Sequence, residues 1–539
     1  MKYIFVSGGV VSGLGKGVTS ASLAFLLKSR GFRVTNVKID MYLNVDAGTI
    51  RPQEHGEVFV TDDGIETDED LGHYERFTQE NLSRENYITT GQIYQEVIRK
   101  ERAFEYDGED VEAIPHVTDE ITRRINLAGK KHNAEIVIIE LGGTVGEYQN
   151  GIFYESSRIM KLKNPKDVIH LHVTYLPFLA NIGELKSKPA QTSVRILNGM
   201  GIQPDIIVAR TDMPIDQKRL ERLALFCNMR PEAIFSAPNL DTIYEVPLLF
   251  HRQNHHLAST CLKLLGLKLG KHENLKGWRE MTKRATTRWP KKLKIALVGK
   301  YFATGKYSLV DSYVSVVEAI RHASWKLGVT PVFSWIDSEQ IEKEGIEVLK
   351  GQDGIIVPQG WGSRGTEGKI MAIKFAREND IPYLGLCFGM QMAVIEYARN
   401  VLNLKGANSI EVNPKTKYPV IHIMPNQAEY LKKKQYGGTI RLGSWPCVLK
   451  KASILSKIYE GKTLIRERHR HRYEFNNTFK EKFEKKGMIF SGTSPDGKLV
   501  EAIELKDHKF FVGTQFHPEY ISRPLTPHPI FVSFLSSMI

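Results

Sequence analysis

The chain has 539 residues, enough for two or three domains that each bury a core. Its 42% hydrophobic and 25% charged residues are ordinary for a soluble protein. It has no run of about 18 apolar residues, which excludes a membrane span, and the apolar start at Met1–Gly9 is too short for a signal peptide. The formal charge of +13 calls for an anionic partner. The basic runs, Lys432–Lys434 and Arg466–Arg472, are short and match no RNA- or DNA-binding motif, so nucleotide substrates explain the charge more simply than nucleic acid does.

Residues 2–7 have strand character and run into "SGGVVSGLGKGVTS", a glycine-rich loop ahead of a helix over Thr19–Gly31. "FRVTNVKID" follows as a second strand. Strand, phosphate loop, helix and strand open an α/β fold on a parallel sheet. The loop departs from the usual G-x-x-x-x-G-K-[ST], because Gly17 stands where a hydroxyl would hold Mg²⁺. Lys16 is still placed where a helix begins, among backbone N–H groups. Carboxylates elsewhere should then hold the cation, and Asp70 and Glu140 offer themselves. Glu140 lies at a strand end beside a glycine turn, the usual place for a site in a parallel sheet. Further buried strands are expected at Ala134–Gly143, Asp167–Pro177 and Pro204–Arg210. The polar stretch from Lys271 reads as a linker with a short helix, giving domains over residues 1–270 and 292–539 joined by a linker over 271–291.

In the second domain, Gly385-Leu386-Cys387-Phe388-Gly389 has the form G-x-nucleophile-x-G, a strand turning sharply into a helix. A thiol there sits at a helix N-terminus, which favours thiolate. Downstream, "TQFHPEY" places His517 and Glu519 after an apolar strand end. The His can take the thiol proton and the carboxylate can hold its ring in one tautomer. "PQGWGSRGTEG" from Pro358 brings glycine backbone N–H groups toward a developing oxyanion. The four cysteines have no metal or redox spacing and read as reduced thiols of a cytoplasmic protein.

These motifs resemble the class I glutamine amidotransferases. The resemblance implies a Cys387, His517 and Glu519 triad, with glutamine held by Gly360, Phe388, Gly389, Met390, Gln391, Glu411 and Arg472. The family commonly has a second glycine where this chain has Gln359. End to end, through "GGVVSGLGKG", "HGEVFVTDDGIETDEDLGHYERF", "ELGGTVGE", "GELKSKPAQTSV" and "RERHRHRYEFNN", the chain resembles the CTP synthase family. That resemblance implies a dethiobiotin-synthetase-like P-loop domain followed by the amidotransferase domain. It also implies amination of UTP to CTP with ATP and glutamine, Mg²⁺, activation by GTP, inhibition by CTP and a homotetramer.

Carried over to this sequence, Gly13, Leu14, Gly15, Lys16, Gly17, Val18, Asp70, Pro238, Asn239 and Leu240 are expected to bind ATP, with Asp70 and Glu140 on the metal. Ser12, Glu147, Tyr148, Gln149, Lys186, Ser187, Lys188, Pro189, Ala190, Gln191 and Arg222 are expected to bind UTP or CTP. Lys38 and Asp40 should lie at the reacting centre, and Arg51–Val60 should line an ammonia route. The family commonly has Asp-Ile-Glu in place of Glu147-Tyr148-Gln149, and Lys in place of Arg222. Rival readings are another glutamine-dependent P-loop ligase, a P-loop regulatory switch and a filament or nucleic-acid scaffold. The first should lack "GELKSKPAQTSV", and a switch has no need of a thiol triad.

Overall fold

The computed structural model describes residues 1–253, 256–271, 273–304, 307–308, 310–424, 427–433 and 437–539. His272 of the expected linker and Lys434 of the lysine run lie outside them. The chain forms two compact units. One comprises Met1–Asp46 and Asp70–Thr286, the other Ala47–Glu69 and Thr287–Ile539.

The first unit is built on seven strands: β1 (Lys2–Gly8), β2 (Val34–Asp40), β3 (Tyr87–Thr89), β4 (Ile136–Leu141), β5 (Val168–Leu176), β6 (Ile206–Thr211) and β7 (Ile234–Pro238). They pair in the order β7-β6-β5-β1-β4-β2-β3, every pair parallel. Helices cover such a sheet on both faces, so the central strands are apolar throughout. All six residues of β4, "IVIIEL", are buried. Helices α1 (Lys16–Ser29), α2 (Asp70–Thr78) and α3 (Lys188–Gly199) stand at the carboxyl ends of the strands. Because every pair is parallel, the glycine-rich loop, Asp40, Glu140 and Pro238 emerge at one edge of the sheet, where open α/β sheets bind ligands.

Most of the expected linker is a helix of this unit, α4 (Lys276–Thr286). Its apolar residues Trp278 and Met281 are three apart and buried. The Trp278 indole N–H donates to the Tyr244 carbonyl oxygen at 2.8 Å, and its ring packs 4.1 Å from Phe25 and 5.3 Å from Phe77. One aromatic anchor outweighs the polar composition around it.

The second unit has a nine-stranded sheet made of β8 (Lys292–Gly299), β9 (Thr330–Asp337), β10 (Gly354–Val357), β11 (Tyr383–Leu386), β12 (Arg441–Leu449), β13 (Leu464–His471), β14 (Met488–Thr493), β15 (Val500–Leu505) and β16 (Phe511–Thr514). The order is β9-β8-β10-β11-β16-β15-β14-β12-β13. It is parallel from β9 to β16 and antiparallel beyond. Helices α5 (Val314–Leu327), α6 (Thr366–Glu378) and α7 (Phe388–Asn400) flank it.

Residues 47–69 pack with this unit, unlike the sequence-based cut near residue 270. Ion pairs and backbone contacts hold them. Arg468 donates to Asp62 at 2.6 Å and to the Val60 carbonyl oxygen at 3.0 Å, and Arg470 donates to Glu66 at 2.8 Å. The Tyr520 hydroxyl donates to the Val58 carbonyl oxygen at 2.9 Å. The same contacts account for Arg468 and Arg470 of the basic run Arg466–Arg472, while Arg466 is exposed. Arg468 through Arg472 are buried in or just after β13, two of the arginines paired to carboxylates, so this stretch presents no solvated basic face. No helix among the described residues is long and apolar enough to cross a membrane.

Candidate functional site

In the first unit the chain leaves β1 at Gly8 and turns through the glycine-rich loop. Gly13 and Gly15 have φ of +72° and +81°, conformations that glycine adopts without strain. Gly15 caps α1, so Lys16, Gly17 and Val18 form its first turn with their N–H groups facing the loop. Lys16 lies back over the loop and donates to the Gly143 carbonyl oxygen at 2.8 Å. Burial lowers its pKa, with the Glu140 and Asp70 charges pulling the other way. Gly9 sits against α3, where a Cβ would come within 2.4 Å of Ser193 and 2.7 Å of His172. His172 is held between Ser7 at 2.9 Å and Ser193 at 3.0 Å. Burial and the Lys16 charge push its pKa down to about 3, so it is a neutral strut between the loop and α3.

Gly17 explains the departure from the ordinary loop. A Cβ there would lie 1.9 Å from Oδ1 of Asp70. The carboxylate of α2 occupies the space that the hydroxyl residue of an ordinary P-loop would fill. Lys38, from β2, bonds the other Asp70 oxygen, reaches Glu140 Oε1 at 3.1 Å and stands 3.8 Å from Asp40. Tyr74, one turn on from Asp70, donates to the remaining oxygen of Glu140. Burial, followed by repulsion from Asp70, raises Glu140 to a pKa of about 7 despite Lys38 and Lys16. Asp40 accepts from the Tyr42 and Tyr87 hydroxyls at 3.1 and 3.0 Å. Asp40, Asp70 and Glu140, gathered around Lys38 with Lys16 nearby, offer hard oxygen donors of the kind that could hold a divalent cation.

In the second unit β11 ends at Leu386, and Cys387 takes φ 51° and ψ −99° before α7 begins at Phe388. The flanking glycines are required by space. A Cβ on Gly389 would meet the Val357 carbonyl oxygen at 1.9 Å, and one on Gly385 would meet the Tyr383 hydroxyl at 2.5 Å. The Cys387 N–H donates to the Thr514 carbonyl oxygen at 2.6 Å, which ties the elbow to β16. His517 Nδ1 and Glu519 Oε1 are 2.8 Å apart, both fully buried. Burial alone would lower the His517 pKa. The Glu519 and Cys387 charges and hydrogen bonding outweigh burial and lift it to about 10. The ring is held as imidazolium beside the sulfur. Nε2 has no partner of ordinary hydrogen-bond geometry among the described residues. The Tyr520 ring stacks on His517 at 4.9 Å and Gln515 donates to the sulfur at 3.4 Å.

The loop Pro358–Gly362 is pinned by two lysines. Lys369 of α6, fully buried, donates to the Pro358 carbonyl oxygen at 3.0 Å. Lys300 donates to the Trp361 and Gly362 carbonyl oxygens at 2.6 and 3.0 Å. Both ammonium groups also lie over the Phe388 ring, at 5.3 and 5.0 Å. A small space beside Cys387 is lined by Gly360, Phe388, Gln391, Glu411 and Arg472, with Trp361, His471 and Tyr473. Glu411 accepts from the Gly362 N–H at 2.7 Å. Gly389 and Met390, also expected at the glutamine, lie under the elbow, against Val357 and Gly513.

The two units match two family models. The family model for the CTP synthase N-terminus matches residues 2–267, and that for class-I glutamine amidotransferase matches residues 308–537. A CTP synthase of Halalkalibacterium halodurans is 49% identical over 546 aligned residues, covering 100% of this chain and 99% of that protein. Those of Caldanaerobacter subterraneus subsp. tengcongensis and Bacillus subtilis are 50% and 48% identical, each covering 100% of this chain and 98% of the relative. The chain belongs to the CTP synthase family.

A member of the CTP synthase family is a glutamine-hydrolysing carbon–nitrogen ligase, and the remaining expected residues fall around the first unit's sheet edge. Ser187, Lys188, Pro189, Ala190 and Gln191 form the start of α3, where Gln191 donates to Ser187 at 3.0 Å. Lys186 pairs with Glu184, which also accepts from Arg219 at 3.1 Å, so the helix Gln217–Phe226 that bears Arg222 lies beside this stretch. Ser12 is exposed on the loop. Glu147 is turned inward to Thr144, accepting from its N–H at 2.6 Å and its hydroxyl at 2.7 Å, whereas Tyr148 is fully exposed. Asn239 accepts from Arg210 at 2.9 Å just past β7, beside Pro238 and the half-exposed Leu240.

Sequence reasoning did not find Tyr74, His172, Lys300, Lys369 or Tyr520. Only their depth in the fold marks them, because lysine, histidine and tyrosine at such positions carry no motif of their own.

Proposed function

We propose that the chain converts UTP to CTP with ATP and glutamine, which fits relatives named CTP synthase. The observation that carries this is the pairing, within one chain, of a Gly17–Asp70 phosphate loop with a Cys387–His517–Glu519 elbow. The Cys387 thiolate attacks the glutamine amide carbon, and the loop N–H groups around Gly360 receive the charge on the oxygen. His517, held by Glu519, gives its proton to the leaving nitrogen, so that ammonia departs and a thioester remains for water to cleave to glutamate. In the first unit, Lys16 and the N–H groups of α1 hold the ATP phosphates, while α3 and Lys38 hold the pyrimidine nucleotide. The γ-phosphoryl group passes to the uracil 4-oxygen, and ammonia attacks carbon 4 and expels phosphate. Asp70 and Glu140 would hold Mg²⁺, which neutralises charge on the phosphates. Purified protein given UTP, ATP and glutamine is expected to yield CTP, ADP, phosphate and glutamate in equal amounts. Glutamate without CTP would overturn the reading.

Regulation and assembly follow the same reading: a cytoplasmic homotetramer activated by GTP and inhibited by CTP. A cavity of about 700 Å³ shares Trp361, Glu411, Arg472 and Tyr473 with the space beside Cys387 and adds Lys300, Arg51, Arg364 and Arg470. Its size and its mix of aromatic rings and cations suit an anionic nucleotide, and we assign GTP to it. Inhibition by CTP should be weak, because Tyr148 and Gln149 replace the Ile and Glu common in the family. The double variant Tyr148→Ile/Gln149→Glu is expected to tighten the CTP inhibition constant by about tenfold, the effect of one charge-assisted hydrogen bond. An unchanged constant would remove these residues from the inhibitor site.

A further inference from the structure

The stretch "TQFHPEY" places Gln515 two residues before His517. The segment is pinned by its backbone. The Gln515 N–H donates to the Glu501 carbonyl oxygen and the His517 N–H to the Arg468 carbonyl oxygen, each at 2.8 Å. Side chains two apart on extended backbone leave on the same side, so the Gln515 amide, like the His517 ring, is directed at Cys387. Gln515 Nε2 lies 3.4 Å from Sγ. Which end of the amide faces the sulfur follows from its neighbours. Gln391, at the start of α7, has one amide atom 2.9 Å from the Tyr473 carbonyl oxygen, which only accepts, so that atom is the Nε2 donor. Its second hydrogen goes to Gln515 Oε1 at 3.2 Å. With its oxygen so engaged, Gln515 turns its N–H to the sulfur. The Tyr473 carbonyl oxygen is itself held by the His471 Nδ1–H at 2.9 Å. Gln391, His471 and Gln515 are all buried.

An N–H group bonds a neutral thiol or thioester sulfur weakly and a thiolate strongly, since hydrogen bonds to charged groups are roughly twice as strong as neutral ones. The thiol has its own acceptor, the Arg470 carbonyl oxygen 3.6 Å from Sγ, so the sulfur is left to accept from Gln515. In the proposed reaction the sulfur is negative twice. It is a thiolate before it attacks glutamine. It is a thiolate again when water cleaves the thioester and the C–S bond breaks with its electron pair passing to sulfur. His517, Lys369 and Tyr520 feel the sulfur's charge, and His471, Glu411 and Arg472 line the space beside it. Gln515 adds an uncharged donor to this set, in contact with the reacting atom.

We propose that Gln515 is a further catalytic residue of glutamine hydrolysis: its N–H, oriented by Gln391, donates to the Cys387 thiolate and to the same sulfur as it leaves the thioester. The inference rests on the reading of Cys387 as the nucleophile. No covalent bond is made or broken at Gln515. The hydrogen bond makes thiolate available at lower pH and takes something from its reactivity. A roughly tenfold gain in thiolate fraction costs about threefold in nucleophilicity, because nucleophilicity follows thiol basicity with a slope of about 0.4–0.5. At neutral pH the gain wins. At alkaline pH, where the sulfur is thiolate in either case, only the cost remains.

The test is the alkylation of Cys387 in the full-length protein by iodoacetamide, which is small and ends in the same CH₂–carboxamide as glutamine. The rate is followed against pH on the Cys387 peptide by mass spectrometry, so that Cys227, Cys261 and Cys447 do not contribute. Gln515→Met keeps the length of the side chain and removes the donor. Its rate curve is expected to cross that of the wild type. The midpoint should rise by about one pH unit, the strength of one hydrogen bond to a charged group, and the alkaline plateau should rise about threefold. The acidic limb of kcat/KM for glutamine should move up in pH with it. General damage to the elbow would instead lower the rate at every pH and leave the midpoint in place. Gln515→Asn withdraws the N–H by one methylene and should move the midpoint in the same direction. A folded Gln515→Met protein with the wild-type midpoint, at whatever rate, would overturn the proposal. Should that variant not fold, a wild-type midpoint in Gln515→Asn would overturn it equally. Failure of the underlying reading shows separately, as glutamine use that survives in Cys387→Ala.

Discussion

Cys387→Ala is expected to abolish CTP formation from glutamine, a loss of about 10⁴-fold or more, as for other nucleophiles that work as part of a triad. Synthesis from added ammonium salts should persist near the wild-type level. In the proposed reaction the thiol serves only to make ammonia, and the amination belongs to Lys16, Lys38, Asp70 and Glu140 on the other unit. That residual synthesis should rise from neutral to mildly alkaline pH, because only unprotonated ammonia has a lone pair to attack carbon 4. The variant should fold. It removes one sulfur, whose contacts are the Gln515 amide and the Arg470 carbonyl oxygen, and it leaves the Cys387 N–H bond to Thr514 in place. It also removes one of the charges that raise His517, so the His517 pKa should fall from about 10. The measurements are both rates against pH, thermal melting, and the His517 ring titration by NMR. A folded variant that still uses glutamine would exclude Cys387 as the nucleophile. Loss of both activities would show that the sites cannot be separated.

Local patterns announced the two ends of this chemistry, and long-range packing supplied the rest. The elbow was readable because a strand turning into a helix around a nucleophile demands small neighbours, and Gly385 and Gly389 have no room for a Cβ. The continuous apolar strands of the first unit were readable because a parallel sheet is covered on both faces. The place of residues 47–69 was not readable. Nothing in "HGEVFVTDDGIETDED" tells that Asp62 and Glu66 pair with arginines some 400 positions later, and a basic run looks the same whether solvated or buried. The short helix expected in the linker is present, but its charged composition did not show that Trp278 and Met281 are buried within the first unit. The carboxylate cluster lay between these cases. Asp70 and Glu140 could be named, but that Lys38 ties them together while Tyr74 holds the far side of Glu140 depends on how α2 packs on β2 and β4.

Gly17→Ser should destroy synthesis even though it restores the residue of an ordinary phosphate loop. The glycine is needed for space and not for its backbone freedom, since it lies in the first turn of α1 with helical geometry. A Cβ there would stand 1.9 Å from Asp70 Oδ1 and 2.8 Å from its Cγ, so the carboxylate must move. The other Asp70 oxygen holds Lys38, and Lys38 in turn holds Glu140 Oε1 at 3.1 Å with Asp40 3.8 Å away. Displacing Asp70 by an ångström therefore shifts the lysine and both other carboxylates, which the proposed reaction places at its centre. A misplacement of that size costs about 10²-fold in rate, and this is the loss expected in CTP formation from ammonia. Glutamine hydrolysis measured without nucleotides should be retained, because Cys387 and its partners belong to the other unit. Gly17→Ala separates steric from chemical causes. If the Cβ is at fault, Ala and Ser lose activity alike. If the hydroxyl can take over the carboxylate's duty, Ser will retain activity that Ala lacks. Wild-type synthesis in Gly17→Ser would show that Asp70 does not fill the place of the missing hydroxyl.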